Sequence, residues 1–367
     1  MMMHLRFLFT ACMALAFTGS YSQNLSAYMN VRGEFYAFED SFTHMLDYLP
    51  PLDFKVGGNA IAFTDNRSDF KIYQYGAMQK PIDGLVQAYG VSNDLIYIKT
   101  AASGYAWDNG QLVLLTRFAG DYVLCDSMVG FIDAPSRNFY YYYGGKIRLG
   151  EEGTTTSPAA TVLASGPNVI AFKSRDYAFK IIWRDGVYEQ ETDYPQNVKA
   201  GTDVAAWLDQ YDNGLSVFYR GETKLVEDFS PRAYEVGNDL MAWVTRDGYF
   251  KIFYKGDIYE IGNYIPAYFK IQDNVIVYAD RVGYTYAFWQ GQSYPLENFI
   301  PTSIVISQNT VMYYDKSKVL NIFSYGEKHT MPIETYFATR LDYDVVMMEQ
   351  QGKRYKFFSH GKVYEAP

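Results

Sequence analysis

From about residue 25 onward the chain alternates short apolar runs with small polar clusters, and the alternation repeats. In the stretch from Ala233 the apolar runs read AYEV, DLMAWV, YFKIFY and IYEI, and GN, TRDG and KGD separate them. Segments this short, rich in Val, Ile, Tyr, Phe and Trp and bounded by turn residues, predict strands joined by hairpins rather than helices. We label the four strands of a unit A to D. Strand B is almost continuously apolar, as in NVIVY and NAIAF. Such a run fits a strand covered on both faces.

The unit recurs with a fixed ruler. Gly76, Gly110, Gly145, Gly186, Gly221, Gly256, Gly291, Gly326 and Gly361 stand at equivalent places, with Ser41 one step earlier. From Gly186 onward each step is 35 residues. Three residues before each marker stands an aromatic: Phe38, Tyr73, Trp107, Tyr142, Trp183, Phe218, Phe253, Phe288, Phe323 and Phe358. Ten copies of one small antiparallel sheet are expected, none able to bury both faces alone, so successive copies must stack into an array or ring. The marker is read as the C–D turn, where a left-handed backbone favours glycine. The aromatic is read as packing between units. Pro231, Pro266 and Pro301 mark the D–A crossover, since proline donates nothing to a ladder. The first copy opens at NLSAYMNV with no strand A before it, so a closed ring must close one strand short or at a shifted boundary.

With this period and strand pattern, the expected repeat domain of residues 23–367 resembles, over about residues 25–367, the secreted β-propeller repeat proteins of bacteria. The resemblance implies an all-β propeller of about ten repeats of three to four antiparallel strands. Its warrant is generic, because WD, kelch and Asp-box motifs are missing at repeat spacing. One ring of ten, two rings of five and an open ring all fit the repeat.

The N-terminus departs from the pattern. A basic start, MMMHLR, precedes the 11-residue apolar run FLFTACMALAF and then small residues at Ser20 and Ser22. The run is too short to span a bilayer. Residues 1–22 are therefore expected to be a signal peptide cut before Gln23, giving an exported, periplasmic or extracellular protein with no transmembrane span. Cleavage would remove Arg6 and no acid, taking the formal charge from −9 to −10. That balance disfavours nucleic acid as a partner. Cys125 would be the single remaining cysteine, expected as a buried thiol in a strand A.

Candidate chemistry is sparse. His44, His329 and His360 fall in three different copies without ligand partners at metal spacing, so no metal, cofactor or catalytic residue is assigned. Asn59, Asp94, Asn168, Asp203, Asp239, Asp273, Asn309 and Asp344 recur in the A–B turns, where such residues shape tight turns. The B–C turns carry a base in nine of ten copies: Arg32, Arg67, Lys99, Arg137, Arg175, Arg246, Arg281, Lys316 and Lys353. Strand order places B–C turns and D–A crossovers on one face of the ring and A–B and C–D turns on the other. Of the bases, Arg67, Arg137, Arg175, Arg246, Arg281, Lys316 and Lys353 form the candidate ligand-binding set. The extra residues between Gly145 and Gly186, mainly Gly150 to Thr161, fall on the same face and are expected as a polar, flexible loop.

The leading expectation is a non-enzymatic binding scaffold for an envelope protein or an anionic polymer such as an acidic glycan. The competing expectations are a carbohydrate-active hydrolase or lyase and a structural spacer.

Overall fold

The computed structural model describes residues 24–154, 156–190, 195–211 and 213–366. The expected signal peptide lies outside the described residues. The described chain is all β, without helix, in ten sheets. Nine sheets have four antiparallel strands in sequential order and the first has three. Blade 7 illustrates the unit: A Ala233–Val236, B Leu240–Val244, C Phe250–Tyr254 and D Asp257–Gly262. The first blade consists of Leu25–Met29, Phe35–Glu39 and Phe42–Asp47, equivalent to B, C and D.

Ten apolar clusters join the ten sheets, one at each blade-to-blade interface. The last of them places Tyr28 and Phe38 of blade 1 against Val345, Met347 and Phe357 of blade 10. Phe38 and Phe357 stack at 4.3 Å, 7° from parallel. A single ring of ten therefore closes by blade packing, with no strand A in the first blade among the described residues. Strands A of neighbouring blades approach one another and line the inside, while strands D, mostly exposed, form the perimeter.

The C–D hairpins explain the glycine ruler. At Lys255–Gly256 the two φ values are 51° and 101°, and at Gln290–Gly291 they are 48° and 80°. Two left-handed residues in succession make the tight turn whose twist matches the strands, and only glycine adopts the second without strain. Blade 5 departs from the expectation. There Trp183 pairs with Gly186, the turn is Arg184–Asp185, and Gly186 has no positive φ. The marker has slipped one residue past the turn, so Ile182 rather than Trp183 takes the interblade position. In the other nine blades the aromatic is buried against the preceding blade.

Adjacent blades are also tied by polar bonds. Lys71 of blade 2 reaches Asp47 of blade 1 at 3.2 Å, Lys180 reaches Glu151 at 2.7 Å, and Lys251 reaches Glu227 at 2.8 Å. Each joins strand C of one blade to the end of strand D of the blade before. Cys125 is buried, directly after strand A Ala119–Leu124 rather than within it. Burial pushes its thiol pKa up, so it stays protonated.

Candidate binding faces

The two ends of the ring use their polar residues differently. At the A–B end, the turns are hydrogen-bonded to one another from blade to blade. Asn238 N–H donates to Asp273 O at 2.6 Å, Asn274 N–H to Gln308 O at 3.1 Å, and Asn309 N–H to the Asp344 carboxylate at 2.8 Å. Side chains double the belt: Asn238 donates to Asn274 and Asn274 to Asn309. The turns come so close that a Cβ on Gly201 would lie 1.7 Å from Gly237 O. The recurrent Asn and Asp residues thus hold the turns together, and several are buried in doing so.

These turns also converge toward the axis. Tyr343 of blade 10 lies against the Gly58 backbone and within electrostatic reach of Asp126, Asp273 and Asp94 from three other blades. Burial pushes the Asp126 carboxyl up to about 6, against a hydrogen bond from Asn93 N–H, with Asp94 and Asp273 adding repulsion. Burial likewise raises Asp94, Asp273 and Asp344. Among the described residues no group of three His, Cys, Asp or Glu side chains is placed to hold a metal ion.

The histidines are locally engaged. His44 lies near the Tyr73 ring, His329 faces the Phe358 ring, and His360 is 2.7 Å from the Asn24 amide.

At the opposite end most B–C turns are shaped by their own leading residue. Asp65 Oδ1 accepts from the N–H groups of Arg67 and Asp69, Asp280 Oδ1 from Val282, Gly283 and Tyr284, and Asp315 Oδ1 from Ser317 and Val319. This capping fixes the backbone of the turn. Arg32, Arg67, Arg175, Arg246, Arg281, Lys316 and Lys353 are exposed there, whereas Lys99 and Arg137 are half-buried. The bases are not an unbroken positive circle. Arg175 pairs with Asp176 at 3.0 Å, and most of the other tips carry an acid within two residues. Lys316 and Arg246 instead lie over crossover rings, at 4.5 Å from Phe299 and 5.5 Å from Phe229. The expected loop of residues 150–161 is partly tied down. Gly153 N–H donates to Asn138 Oδ1 and Ala159 N–H to Arg137 O, which fastens it to the blade 4 turn.

A feature not read from the sequence accompanies these bases. Half of the exposed large apolar side chains of the described residues lie in the B–C turns and D–A crossovers, among them Phe118, Tyr211, Phe229, Val282 and Ile333. The A–B and C–D turns carry only Tyr75 and Tyr325. The signal was present in YIP, FIP and RVGY, but a strand-centred reading treats crossovers as connections.

A closed ring of radially packed four-stranded sheets defines a β-propeller. The chain belongs to the family described as the 10-bladed beta propeller domain, whose model matches residues 20–364. No curated protein matches it in sequence. Among solved structures it is similar to the WD40 domain of SCAP from fission yeast, at 10% identity over 85% of this chain and 95% of that one, TM-score 0.36. It is also similar to the computationally designed Ika8 protein, at 15% identity over 75% and 96%, TM-score 0.30. A third is the CRINKLY WD40 ectodomain of the receptor kinase ACR4 from Arabidopsis thaliana, at 12% identity over 66% and 94%, TM-score 0.32.

Proposed function

We propose that the protein is an exported, non-enzymatic binding scaffold whose working face is the end formed by the B–C turns and D–A crossovers. The observation that carries this reading is the concentration of exposed apolar side chains and bases at that one end. The other end, by contrast, engages many of its polar groups in the belt between blades. Apolar anchors beside interspersed charge are what a protein-binding surface presents. The partner is therefore an envelope protein whose surface carries acidic and apolar groups. An acidic glycan would meet the same bases without using the apolar tips.

The test is binding to a purified acidic polysaccharide, polygalacturonate, beside neutral dextran and an envelope protein extract. Each is assayed at 0.1 and 1 M salt with the parent chain, with the triple variant Arg175→Ser, Arg246→Ser, Arg281→Ser, and with Phe229→Ser, Val282→Ser. The reading expects a protein from the extract to be retained, weakened by both variants. Exposed charges are screened as the Debye length falls from about 10 Å to about 3 Å. Retention of polygalacturonate that only the arginine variant weakens would assign the polymer instead. Retention insensitive to both variants would remove this face from consideration.

A further inference from the structure

Where strand D of one blade ends against strand C of the next, several interfaces hold an ion pair: Asp47 with Lys71, Glu151 with Lys180 and Glu227 with Lys251. The interface between blades 3 and 4 has neither partner. There the strand register puts Thr116 in the place of Glu151 and Tyr140 in the place of Lys180. Thr116 instead donates to Asp133 at 2.7 Å, and Ser136 donates to the same carboxylate at 2.7 Å. A cavity of about 420 Å³ opens at this corner, walled largely by Leu114, Leu115, Phe131, Tyr140 and Ile147, with the exposed Arg117 and Phe118 also lining it. The Tyr140 ring stacks on Phe131 at 5.8 Å.

Other blades engage the crossover ring that stands eight residues beyond the glycine marker. Tyr264 of blade 7 lies near Tyr278 and Tyr286 of blade 8. Arg246 lies over Phe229 at 5.5 Å, and Lys316 over Phe299 at 4.5 Å. Phe118 is the blade 3 equivalent. It is 56% exposed, and the base of the next B–C turn, Arg137, is half-buried and does not lie over it. Arg117 is equally unmatched. At its position blades 2, 4 and 6 carry the acids Asp83, Glu152 and Asp228. Arg117 makes no ion pair or hydrogen bond with any described residue. The corner thus combines apolar walls, an uncovered ring and an unpaired guanidinium, and it lacks the strand D carboxylate that Asp47, Glu151 and Glu227 supply elsewhere.

We propose that this corner receives an apolar side chain of the partner protein together with an adjoining aspartate or glutamate carboxylate. The proposal rests on the reading of the B–C and D–A end as the working face and names a subsite within it. The apolar group fills the cavity and packs against Phe118 and Tyr140, removing exposed apolar surface from water. The Asp133 carboxylate repels a second one from the cavity, so the partner's acid stays at the exposed rim. There the Arg117 guanidinium offers it two parallel N–H groups.

The experiment is fluorescence anisotropy of two labelled peptides, Gly-Gly-Phe-Glu-Gly-Gly and its Gln counterpart, titrated with the full chain. The Glu peptide is expected to bind at least about tenfold more tightly, a difference of about 1.4 kcal/mol. Arg117→Gln should bring the Glu peptide to the affinity of the Gln peptide, and Leu114→Asn with Ile147→Asn should weaken both. All three positions are exposed, so the variants should melt with the parent. Equal binding of the two peptides, binding undiminished by Arg117→Gln, or no binding of the Glu peptide would each overturn the proposal. The wider reading of this end is judged by a different result, retention of an envelope protein that the Phe229 and Val282 substitutions weaken. That retention can stand when the peptides do not bind, and fail when they do.

Discussion

The Arg340 guanidinium donates to the Ala27 carbonyl at 2.5 Å, across the seam where the last blade meets the first. The same reach occurs inside the ring with lysine. Lys55 donates to Tyr89 O at 2.6 Å, Lys199 to Tyr234 O at 2.8 Å and Lys270 to Ile304 O at 3.4 Å. In each of those cases the acceptor lies on strand A of the next blade. Among the described residues blade 1 has no strand A, and the acceptor lies on the strand one place further out, where adjacent strands are about 4.8 Å apart. Arginine, fixed by Asp342 at 2.6 Å, spans the difference and caps the Ala27 carbonyl on the edge of the described sheet.

Arg340→Met should therefore destabilise the ring by about 1.5–3 kcal/mol, the range for a hydrogen bond to a charged group. Arg340→Lys should recover little, because Lys lacks the planar fork that meets Asp342 and Ala27 together. Denaturant unfolding of the three chains checks this. Lysine restoring full stability would show that reach is not what the seam requires.

The buried carboxylates of the A–B belt give stability a definite pH dependence. Asp126 holds its proton up to about pH 6 in the folded chain, whereas the same group unfolded releases it near 3.8. Between those values the folded state binds more protons, so stability rises as pH falls through this window and the cost is complete above about 6. Asp94, Asp273 and Asp344 act in the same direction. Asp65 and Asp133 shift the other way: hydrogen bonds outweigh burial, led by Lys71 on Asp65 and Thr116 on Asp133, so their effect falls below the window. The melting temperature should be higher at pH 5 than at pH 7.5. Asp126→Asn should raise stability at pH 7.5 by on the order of 1–3 kcal/mol and flatten the slope. A profile that falls monotonically from pH 7.5 to 5 would contradict the assignment.

Glycines at two kinds of place should respond differently to substitution. Gly256→Val forces a branched residue to a φ of 101° and is expected to cost about 1–3 kcal/mol. Gly201→Ala is expected to cost at least as much although its φ is ordinary, because the added carbon meets Gly237 O and the belt must open. Gly84, with open space around its Cβ position, should accept alanine within about 0.5 kcal/mol. Thermal melts of the three variants test the turn and the belt separately.

The repeat and the strand order were legible because each blade buries the same positions, which writes a 35-residue rhythm into the sequence. Ring closure was not legible. It depends on Phe38 meeting Phe357 and Arg340 meeting Ala27, pairs separated by more than 300 residues and unlike their counterparts within the ring. The blade 5 turn misled the ruler, since Gly186 keeps the spacing while the hairpin uses Arg184 and Asp185. At the candidate site, the recurrence of bases was visible but their pairing was not. Whether Arg175 meets Asp176, or Lys316 lies over Phe299, depends on turn geometry set by a capping side chain. The second residue of strand C carries no signal of its own in the sequence. Only the assembled ring shows Lys180 and Lys251 spanning to the preceding blade.

The central claim, that the B–C and D–A end is the working face, is tested most directly by site-specific photo-crosslinking in the producing cell. A photoreactive residue is placed at Val282, 80% exposed on that end, or at Tyr75, 52% exposed on the other. The account predicts a discrete higher-mass protein adduct from position 282, lost with Arg246→Ser and Phe229→Ser, and none from position 75. An adduct from position 75 with none from position 282 would contradict it.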